Sequence, residues 1–259
     1  MVNFFDHCTI IKDKHTYMKK ILTFASLTLS LIAQAQITDP VATEVWNPIP
    51  RVVGFQGSSP IPGDAIILFN GTNLEQWVSD KDGGKAMWDV KDGIFTVKAG
   101  TGDIKTKQKF GSCQLHLEFR TPAVVEGNGQ GRGNSGVFFQ EKYEVQILDN
   151  YNNATYPNGQ CAAVYKQHIP LVNACKGPGE WQTYDIIFTA PVFNKDGVKV
   201  ASGFFTVIHN GILVQNHVEI KGTTEYIGLP KNDAHGMGSI KLQDHGNPMS
   251  FRNVWVREL

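Results

Sequence analysis

The sequence of 259 residues has no net charge and no long run of charge of either sign. Its 24 lysine and arginine residues are balanced by 24 aspartate and glutamate residues. Nucleic acids and anionic membrane surfaces attract basic patches, and disordered tails often carry runs of like charge. The composition therefore argues against these partners and predicts a substrate of low charge.

The sequence also lacks the spacings of familiar metal and nucleophile motifs. No histidine pair has metalloprotease spacing, no Cys-x-x-Cys occurs, and there is no Gly-x-Ser-x-Gly elbow. The longest apolar run, residues 21–32, is too short to span a bilayer. We therefore expect no zinc site, no serine-hydrolase elbow and no transmembrane segment in the mature chain.

The apolar run near the N-terminus is typical of an export signal. Lys19 and Lys20 precede it and Ala33-Gln-Ala35 follows it, as in a signal peptide with its cleavage site. We expect translation to start at Met18, so residues 1–35 are upstream residues and signal peptide. The mature protein is then periplasmic or secreted.

The mature chain divides into an arm and one domain. Residues 36–63 are rich in proline and turn formers and predict an extended arm, whereas 64–259 alternate short apolar strands with turns. Asn210-Gly211 between two alternating segments predicts a hairpin with a type I′ turn. The pattern predicts an all-β fold, a two-sheet antiparallel sandwich or jelly roll.

Three cysteines follow the signal peptide. Cys161 and Cys175 flank a proline-containing loop, and a bridge between them would stabilise the fold by about 3 kcal/mol in the chain-entropy model. Cys113 lies in the run 113–119 and is expected to be a small strand residue. An oxidising compartment favours the 161–175 disulfide, and three unpaired thiols are the alternative.

A predicted strand that ends at Asp149 carries the first candidate site. Side chains alternate along a strand, so Glu144 and Gln146 share a solvent-facing side while Val145 and Ile147 face the core. Asp149 joins them if the strand end shifts the register. Hydroxyl acceptors beside a carboxyl group suit a sugar site, and an ordinary half-exposed strand is the alternative.

Two polar loops extend this candidate site. The glycine-rich loop 127–136 carries Arg132, Asn134 and Ser135; it does not open a helix, so a phosphate-binding loop is not predicted. It could close over a polar ligand or be a mobile linker.

The second loop is the turn 242–248, which carries Gln243, Asp244, His245 and Asn247. A histidine there can act as a base near neutral pH, and a surface histidine is the alternative.

Six motifs resemble the 3-keto-disaccharide hydrolase family, formerly a domain of unknown function, from about residue 64 to the C-terminus. The motifs are Leu68-Phe-Asn-Gly-Thr-Asn-Leu-Glu-Gln-Trp77, Gly100-Thr-Gly-Asp-Ile104, Gly131-Arg-Gly-Asn-Ser-Gly-Val-Phe138, Tyr143-Glu-Val-Gln-Ile-Leu-Asp149, Pro178-Gly-Glu-Trp-Gln-Thr-Tyr-Asp185 and Leu242-Gln-Asp-His-Gly-Asn-Pro248. The resemblance implies a concanavalin A-like jelly roll and an oligosaccharide or glycoside substrate. It implies no required cofactor, and a structural calcium ion is compatible with the fold.

The resemblance also implies a reaction. Glycosidases of this fold carry Glu-x-Asp-x-x-Glu, whereas this chain has Glu144-x-Gln146-x-x-Asp149, and the central amide disfavours double displacement. A ketone at C3 of a sugar instead acidifies the C2 proton, so elimination followed by hydration can cleave the bond. Glu144 or His245 would be the base and the other the acid.

The remaining polar residues would bind the substrate. Ketone and hydroxyl groups would be held by Arg132, Gln146 and Gln243, with Asn134, Ser135, Asp149 and Asn247 as further binding positions.

Three other functions remain open from the sequence: a non-catalytic carbohydrate-binding module, a conventional glycosidase for unoxidised glycans, and a structural domain of the cell envelope. The last predicts no cluster of Glu144, Gln146 and His245.

Overall fold

The computed structural model describes residues 38–259, so the predicted start and signal peptide lie outside the described residues. Two compact units divide at Val52 and Val53. In the first, Pro40–Thr43 forms a 3-10 helix. The second runs from Val53 to Leu259. No helix within residues 38–259 is long and apolar enough to cross a membrane.

The regular secondary structure of the second unit is short β-strands, with two 3-10 turns at Gly129–Gly131 and Pro157–Gly159, and the strands are joined by irregular segments. The strands are β1 (Ile66–Phe69), β2 (Trp77–Ser79), β3 (Asp89–Lys91), β4 (Ile94–Thr96), β5 (Ile104–Thr106), β6 (Cys113–Arg120), β7 (Ser135–Phe139), β8 (Tyr143–Ile147), β9 (Gln182–Thr189), β10 (Val192–Phe193), β11 (Lys199–Ala201), β12 (Gly203–His209), β13 (Ile212–Ile220), β14 (Lys241–Leu242) and β15 (Ser250–Glu258).

The strands form two main antiparallel sheets. The larger has eight strands in the order β13-β12-β9-β6-β15-β4-β3, with β1 also paired to β15. The smaller has five strands in the order β2-β5-β14-β7-β8, and β10-β11 is a separate hairpin. The predicted two-sheet antiparallel sandwich is confirmed.

The turn at Asn210-Gly211 joins two neighbouring strands of the larger sheet. Asn210 and Gly211 have φ angles of 53° and 79°, and they join β12 to β13 through the closing pair of His209 and Ile212. Positive φ at both central residues is the condition for a type I′ turn, whose twist matches that of the strands. The predicted hairpin is therefore confirmed.

The core lies between the two sheets. Cys113 is a strand residue, as expected, and every second residue of β6, Cys113 included, is buried. Phe139 of the smaller sheet meets Phe188 of the larger one, with ring centroids 4.9 Å apart. Because alternate side chains of β7 and β8 face this core, the others are left for the outer face of the smaller sheet.

The predicted disulfide is wrong, because Cys161 and Cys175 are both free thiols. The Cys161 sulfur lies 3.0 Å from the hydroxyl of Tyr184, and the Cys175 thiol lies 3.9 Å from the carbonyl of Leu148. The loop does bring the two side chains near each other, but their sulfurs are not at the ~2.05 Å of a covalent bond.

Candidate active site

A cavity of about 620 Å³ opens on the outer face of the smaller sheet, where β7 and β8 pair. This volume is in the range of small-molecule sites. Five residues predicted from the sequence line the cavity: Asn134, Glu144, Gln146, Gln243 and His245. The cluster that an envelope structural domain would lack is therefore present.

The strand β8 delivers two of these side chains to the pocket floor. Val145 and Ile147 are buried in the core as predicted, and Glu144 and Gln146 point the other way. The predicted solvent exposure is wrong, because these two side chains are only 5% and 1% exposed. The segment 162–165 covers this edge of β8; its backbone hydrogen-bonds to residues 144 and 146 at 2.9–3.2 Å.

The carboxyl of Glu144 is buried without hydrogen bonds from any residue in the range 38–259. Burial raises its pKa to about 8, with a lowering contribution from Lys241 and a smaller raising one from Asp103. Desolvation disfavours the charged form, which is why the carboxyl holds its proton at neutral pH. It can therefore donate a proton to a bound ligand.

Two unpaired amide oxygens belong to residues that line the same pocket as this acid. Gln146 donates its amide to Gln130 at 3.0 Å, and Asn134 donates to the backbone carbonyl of Gln130 at 2.7 Å. The side-chain oxygens of both Gln146 and Asn134 are buried and have no partner within the described residues. A buried acceptor without a donor is costly, so these oxygens suit the hydroxyl groups of a ligand.

The glycine-rich loop forms one wall of the pocket. Asn153 accepts from the amide of Gly129 at 2.8 Å and donates to its carbonyl at 3.0 Å. Gln130 donates to Thr155 and to the carbonyl of Gly159 at 2.9 and 2.8 Å. The loop is thus anchored to the segment that follows β8.

Arg132 and Asp149 do not line the main pocket. They form an ion pair with a 2.8 Å separation between Nε and Oδ2, and Arg132 also donates to the carbonyl of Tyr151. Together with Asn247 they border a separate cavity of about 110 Å³. The strand end at Asp149 turns its carboxylate towards Arg132 and away from Glu144.

Ser135 and Asn247 do not line the main pocket and instead hydrogen-bond to residues that do. The hydroxyl of the fully buried Ser135 donates to the carbonyl of Gln243 at 2.8 Å. The side-chain oxygen of Asn247 accepts from the backbone amide of Asn134 at 2.9 Å. Both residues therefore hold pocket residues in place, although the sequence predicted direct binding.

Hydrogen bonds to the carboxylates of Asp244 and Asp103 hold the turn that carries His245. Asp244 accepts from the amides of Gly102 and Gly246 at 3.0 and 2.9 Å, and its own amide donates to Asp103 at 2.8 Å. His245 is exposed and lines the pocket from this turn.

Sequence reasoning missed the aromatic rim of the pocket. Lys166 Nζ lies 4.5 Å from the ring centroid of Tyr226 and 5.7 Å from those of Tyr156 and Tyr165. The hydroxyls of Tyr156 and Tyr165 are 2.6 Å apart. These residues come from irregular segments with no periodicity, so only the tertiary fold brings them together. Gln130, Gly131, Phe138 and Thr224 complete the lining.

Known proteins resemble this chain over most of its length. A 3-keto-disaccharide hydrolase of Bacteroides thetaiotaomicron is 24% identical over 255 residues, covering 77% of this chain and 80% of the relative. The crystal structure of a candidate glycosyl hydrolase from Parabacteroides distasonis is 51% identical. It has a TM-score of 0.81 and covers 85% of this chain and 97% of that one.

A second structure and a family model agree with these relatives. Another candidate glycosyl hydrolase of Parabacteroides distasonis is 26% identical with a TM-score of 0.53, covering 75% of this chain and 99% of that one. Residues 64–257 match the model of the 3-keto-alpha-glucoside-1,2-lyase-like domain. These likenesses support a glycoside hydrolase-like enzyme that acts on carbohydrate. The chain belongs to the family of 3-keto-alpha-glucoside-1,2-lyase-like domains.

Proposed function

We propose that this protein cleaves the glycosidic bond of 3-keto-disaccharides and related 3-keto-glycosides by elimination followed by hydration. The family and the hydrolase relative support a keto-sugar substrate. The observation that carries the proposal is the buried, protonated carboxyl of Glu144 on the pocket floor, in the same pocket as two amide oxygens without donors.

The reaction needs one base and one acid. The base removes the C2 proton, which the C3 ketone acidifies, and the electrons of the C2–H bond form the enolate. The enolate then forms a C1–C2 double bond and expels the C1 oxygen, which takes a proton from the acid. Water adds across the double bond, placing hydroxyl at C1 and a solvent proton at C2.

Residue roles follow from burial. Glu144 is protonated at neutral pH because its pKa is about 8, so it is the acid for the leaving oxygen. His245, exposed at the pocket, is the base. Gln243 and Lys166 line the same pocket and can donate to the C3 oxygen as negative charge develops there, a role first expected of Arg132.

The aromatic rim supplies the contact for the second sugar or aglycone. Tyr226 is 71% exposed and Tyr156 is 37% exposed, and both line the pocket. Aromatic faces contact the apolar faces of sugar rings without requiring charge, which fits the neutral substrate expected from the composition.

The composition of the pocket disfavours a conventional glycosidase mechanism. Retaining and inverting glycosidases use two carboxyl groups that flank the bond. Glu144 is the sole carboxylic acid among the described residues that line this pocket. Elimination at a ketone-activated sugar requires a single acid and a base, and this pocket contains both.

We also propose that the mature protein is exported and that its chemistry needs no cofactor. The residue roles above use only side chains of this chain, and any calcium ion would be structural. Expression with the N-terminal segment should yield extracytoplasmic protein that starts at Gln36. Turnover should be the same with and without added Ca²⁺, whereas retention of residues 19–35 or a requirement for Ca²⁺ would oppose these two points.

A substrate panel tests the proposed function. We expect purified protein to release sugar from 3-keto-trehalose, 3-keto-sucrose or a 3-keto-glucoside, and not from the unoxidised sugars. Glu144→Gln should lower kcat by roughly 100-fold or more, the usual contribution of a general acid. The matched control Glu141→Gln changes a carboxyl that pairs with Lys105 outside the pocket, so turnover should be unchanged.

Two outcomes would overturn the proposal. Binding of 3-keto sugars without turnover would indicate a lectin-like module. Cleavage of ordinary glycans at a comparable rate would indicate a conventional glycosidase.

A further inference from the structure

Two thiols and one imidazole meet beneath the strand that carries the pocket floor. Cys161 and Cys175 lie in the connection between β8 and β9, and His209 is the last residue of β12. One ligand atom from each side chain lies within 4.8 Å of the others. Among residues 38–259 no other group of three or more His, Cys, Asp and Glu side chains is arranged in this way.

The hydrogen bonds of His209 leave one of its ring nitrogens, Nδ1, available as a metal ligand. Its Nε2 lies 2.9 Å from the side-chain oxygen of Gln182, which also accepts from the backbone amide of Lys176 at 3.1 Å. Because the Gln182 oxygen can only accept hydrogen bonds, His209 must carry its proton on Nε2. Its Nδ1 is then unprotonated and has a free lone pair. Nδ1 is buried and has no partner within the described residues.

This arrangement is the one found around metal-bound histidines. Such a histidine donates its second ring nitrogen to a carbonyl or carboxylate, which fixes the tautomer and the ring orientation. Gln182 supplies that acceptor before any ion binds. The unpaired Nδ1 is costly in a purely structural cluster of thiols, and a bound ion would satisfy it.

We propose that Cys161, Cys175 and His209 bind one structural zinc ion. Binding releases both thiol protons to solvent, and the two thiolates then neutralise the charge of Zn²⁺, so the buried site has no net charge. A monovalent ion such as Cu⁺ would leave the same site with a net negative charge. The Tyr184 hydroxyl, 3.0 Å from the Cys161 sulfur, is an oxygen close enough to complete a tetrahedral shell.

The expected geometry requires only small side-chain movements. With Zn–S bonds of about 2.3 Å, sulfurs in a tetrahedral site are separated by about 3.8 Å. The ligand atoms already lie within 4.8 Å of one another. The sulfurs also remain unbonded to each other, so both are free to ligate.

The ion would link the segment 162–165, which covers the edge of β8, to the larger sheet. The residue after Cys161 donates its amide to the carbonyl of Gln146 at 2.9 Å, and the Tyr184 hydroxyl donates to the same carbonyl at 2.7 Å. Zinc would thus fix the position of β8 from the side opposite the pocket, without contacting substrate. This zinc site could not be predicted from the sequence, because positions 161, 175 and 209 match no zinc-binding spacing.

Metal titration of the purified full mature chain tests this site. We expect the reduced protein to bind one equivalent of Zn²⁺ by elemental analysis and to melt at a higher temperature when loaded. Co²⁺ in place of Zn²⁺ should give thiolate-to-cobalt charge-transfer absorption. Cys175→Ser and His209→Gln should each weaken binding at least tenfold and reduce that absorption.

Cys113→Ala is the matched control, because this buried cysteine lies outside the cluster and binding should be unchanged. Cys175 is only partly buried, so Cys175→Ser keeps the test valid if His209→Gln fails to fold. Less than about a tenth of an equivalent of Zn²⁺ in the reduced wild type would overturn the proposal. So would unchanged binding in Cys175→Ser. Neither readout depends on turnover, so failure of the zinc site leaves the proposed reaction untouched.

Discussion

The carboxyl of Glu144 occupies the space that a side chain on Gly136 would need. A β-carbon built on Gly136 would lie 2.5 Å from Oε1 of Glu144 and 2.9 Å from Cε2 of Phe138. Gly136 on β7 pairs with Gln146, two residues beyond Glu144 on β8. The absence of a side chain at position 136 therefore sets where the acid can sit.

Gly136→Ala should lower activity while leaving the fold intact. The contacts it creates are with the ends of two side chains, which can move, and its φ lies outside the left-handed region. A displacement of the acid by about 1 Å should lower kcat roughly 100-fold. Gly111→Ala, with no atom closer than 3.7 Å to the new carbon, is the control for kinetics and thermal unfolding. Full activity in Gly136→Ala would show that the carboxyl position is not critical.

Glu144→Gln should increase stability, and the gain should depend on pH. The carboxyl has a pKa of about 8 in the folded protein, against 4.5 for a glutamate side chain in water. As pH rises between these values the unfolded chain ionises first, so the wild type loses stability and the glutamine variant does not. Urea unfolding at a series of pH values should show a difference that grows from about pH 4.5 and levels off above 8.

Glu141→Gln should show the opposite trend. Burial opposes ionisation there, but hydrogen bonds from Lys105 and Ser239 lower the pKa of Glu141. Its wild-type carboxylate therefore stabilises the fold above the unfolded pKa, and the variant loses that contribution. Equal behaviour of the two variants would contradict the assigned protonation states.

Lys241→Met should shift the alkaline limb of the pH profile upward. Lys241 lowers the pKa of Glu144, and it pairs with Asp103 at 3.2 Å, whose charge raises that pKa. Removing the lysine abolishes its lowering of the Glu144 pKa and leaves the charge of Asp103 without its counterion. Both changes therefore raise the pKa of Glu144. Activity that needs protonated Glu144 then persists to higher pH in kcat/KM.

Lys105→Met is the control for that shift. Lys105 pairs with Asp80 and Glu141 and does not contribute to the pKa of Glu144. A downward shift in Lys241→Met, or the same shift in both variants, would contradict the assignment of the limb to Glu144.

Tyr226→Ala should weaken substrate binding more than it slows chemistry. The exposed ring lies at the pocket rim beside Lys166, and no step of the proposed reaction is assigned to it. Loss of an aromatic contact of about 1 kcal/mol should raise KM roughly fivefold, with kcat retained. Tyr226→Phe keeps the ring and should keep KM; an unchanged KM in the alanine variant would remove the rim from the binding site.

The strands and turns could be predicted because their signals are local. Alternation along residues 114–119 places Leu115, Leu117 and Phe119 in the core, and Asn210-Gly211 specifies its turn through backbone conformation. The same alternation correctly separated Glu144 and Gln146 from the core. It could not show their burial, because the cover comes from a loop that has no regular pattern.

Contacts between side chains that are distant in sequence were harder to predict. Arg132 looked free to bind substrate, but Asp149, seventeen positions later, neutralises it. Cys161 and Cys175 have a spacing that permits a bridge, and the fold brings them together, but as unbonded thiols that lie beside His209. Such pairings depend on how loops pack, and spacing along the chain does not determine them.

The most direct test of the central claim is the fate of hydrogen at C2 of the sugar. Turnover of a 3-keto-disaccharide in D₂O, followed by mass spectrometry and NMR of the released 3-keto sugar, reports on it. Incubation of that product without protein in D₂O corrects for its own exchange. Elimination by Glu144 and His245 predicts one solvent deuterium at C2. A product that keeps its original C2 hydrogen would contradict the account and require direct displacement at C1.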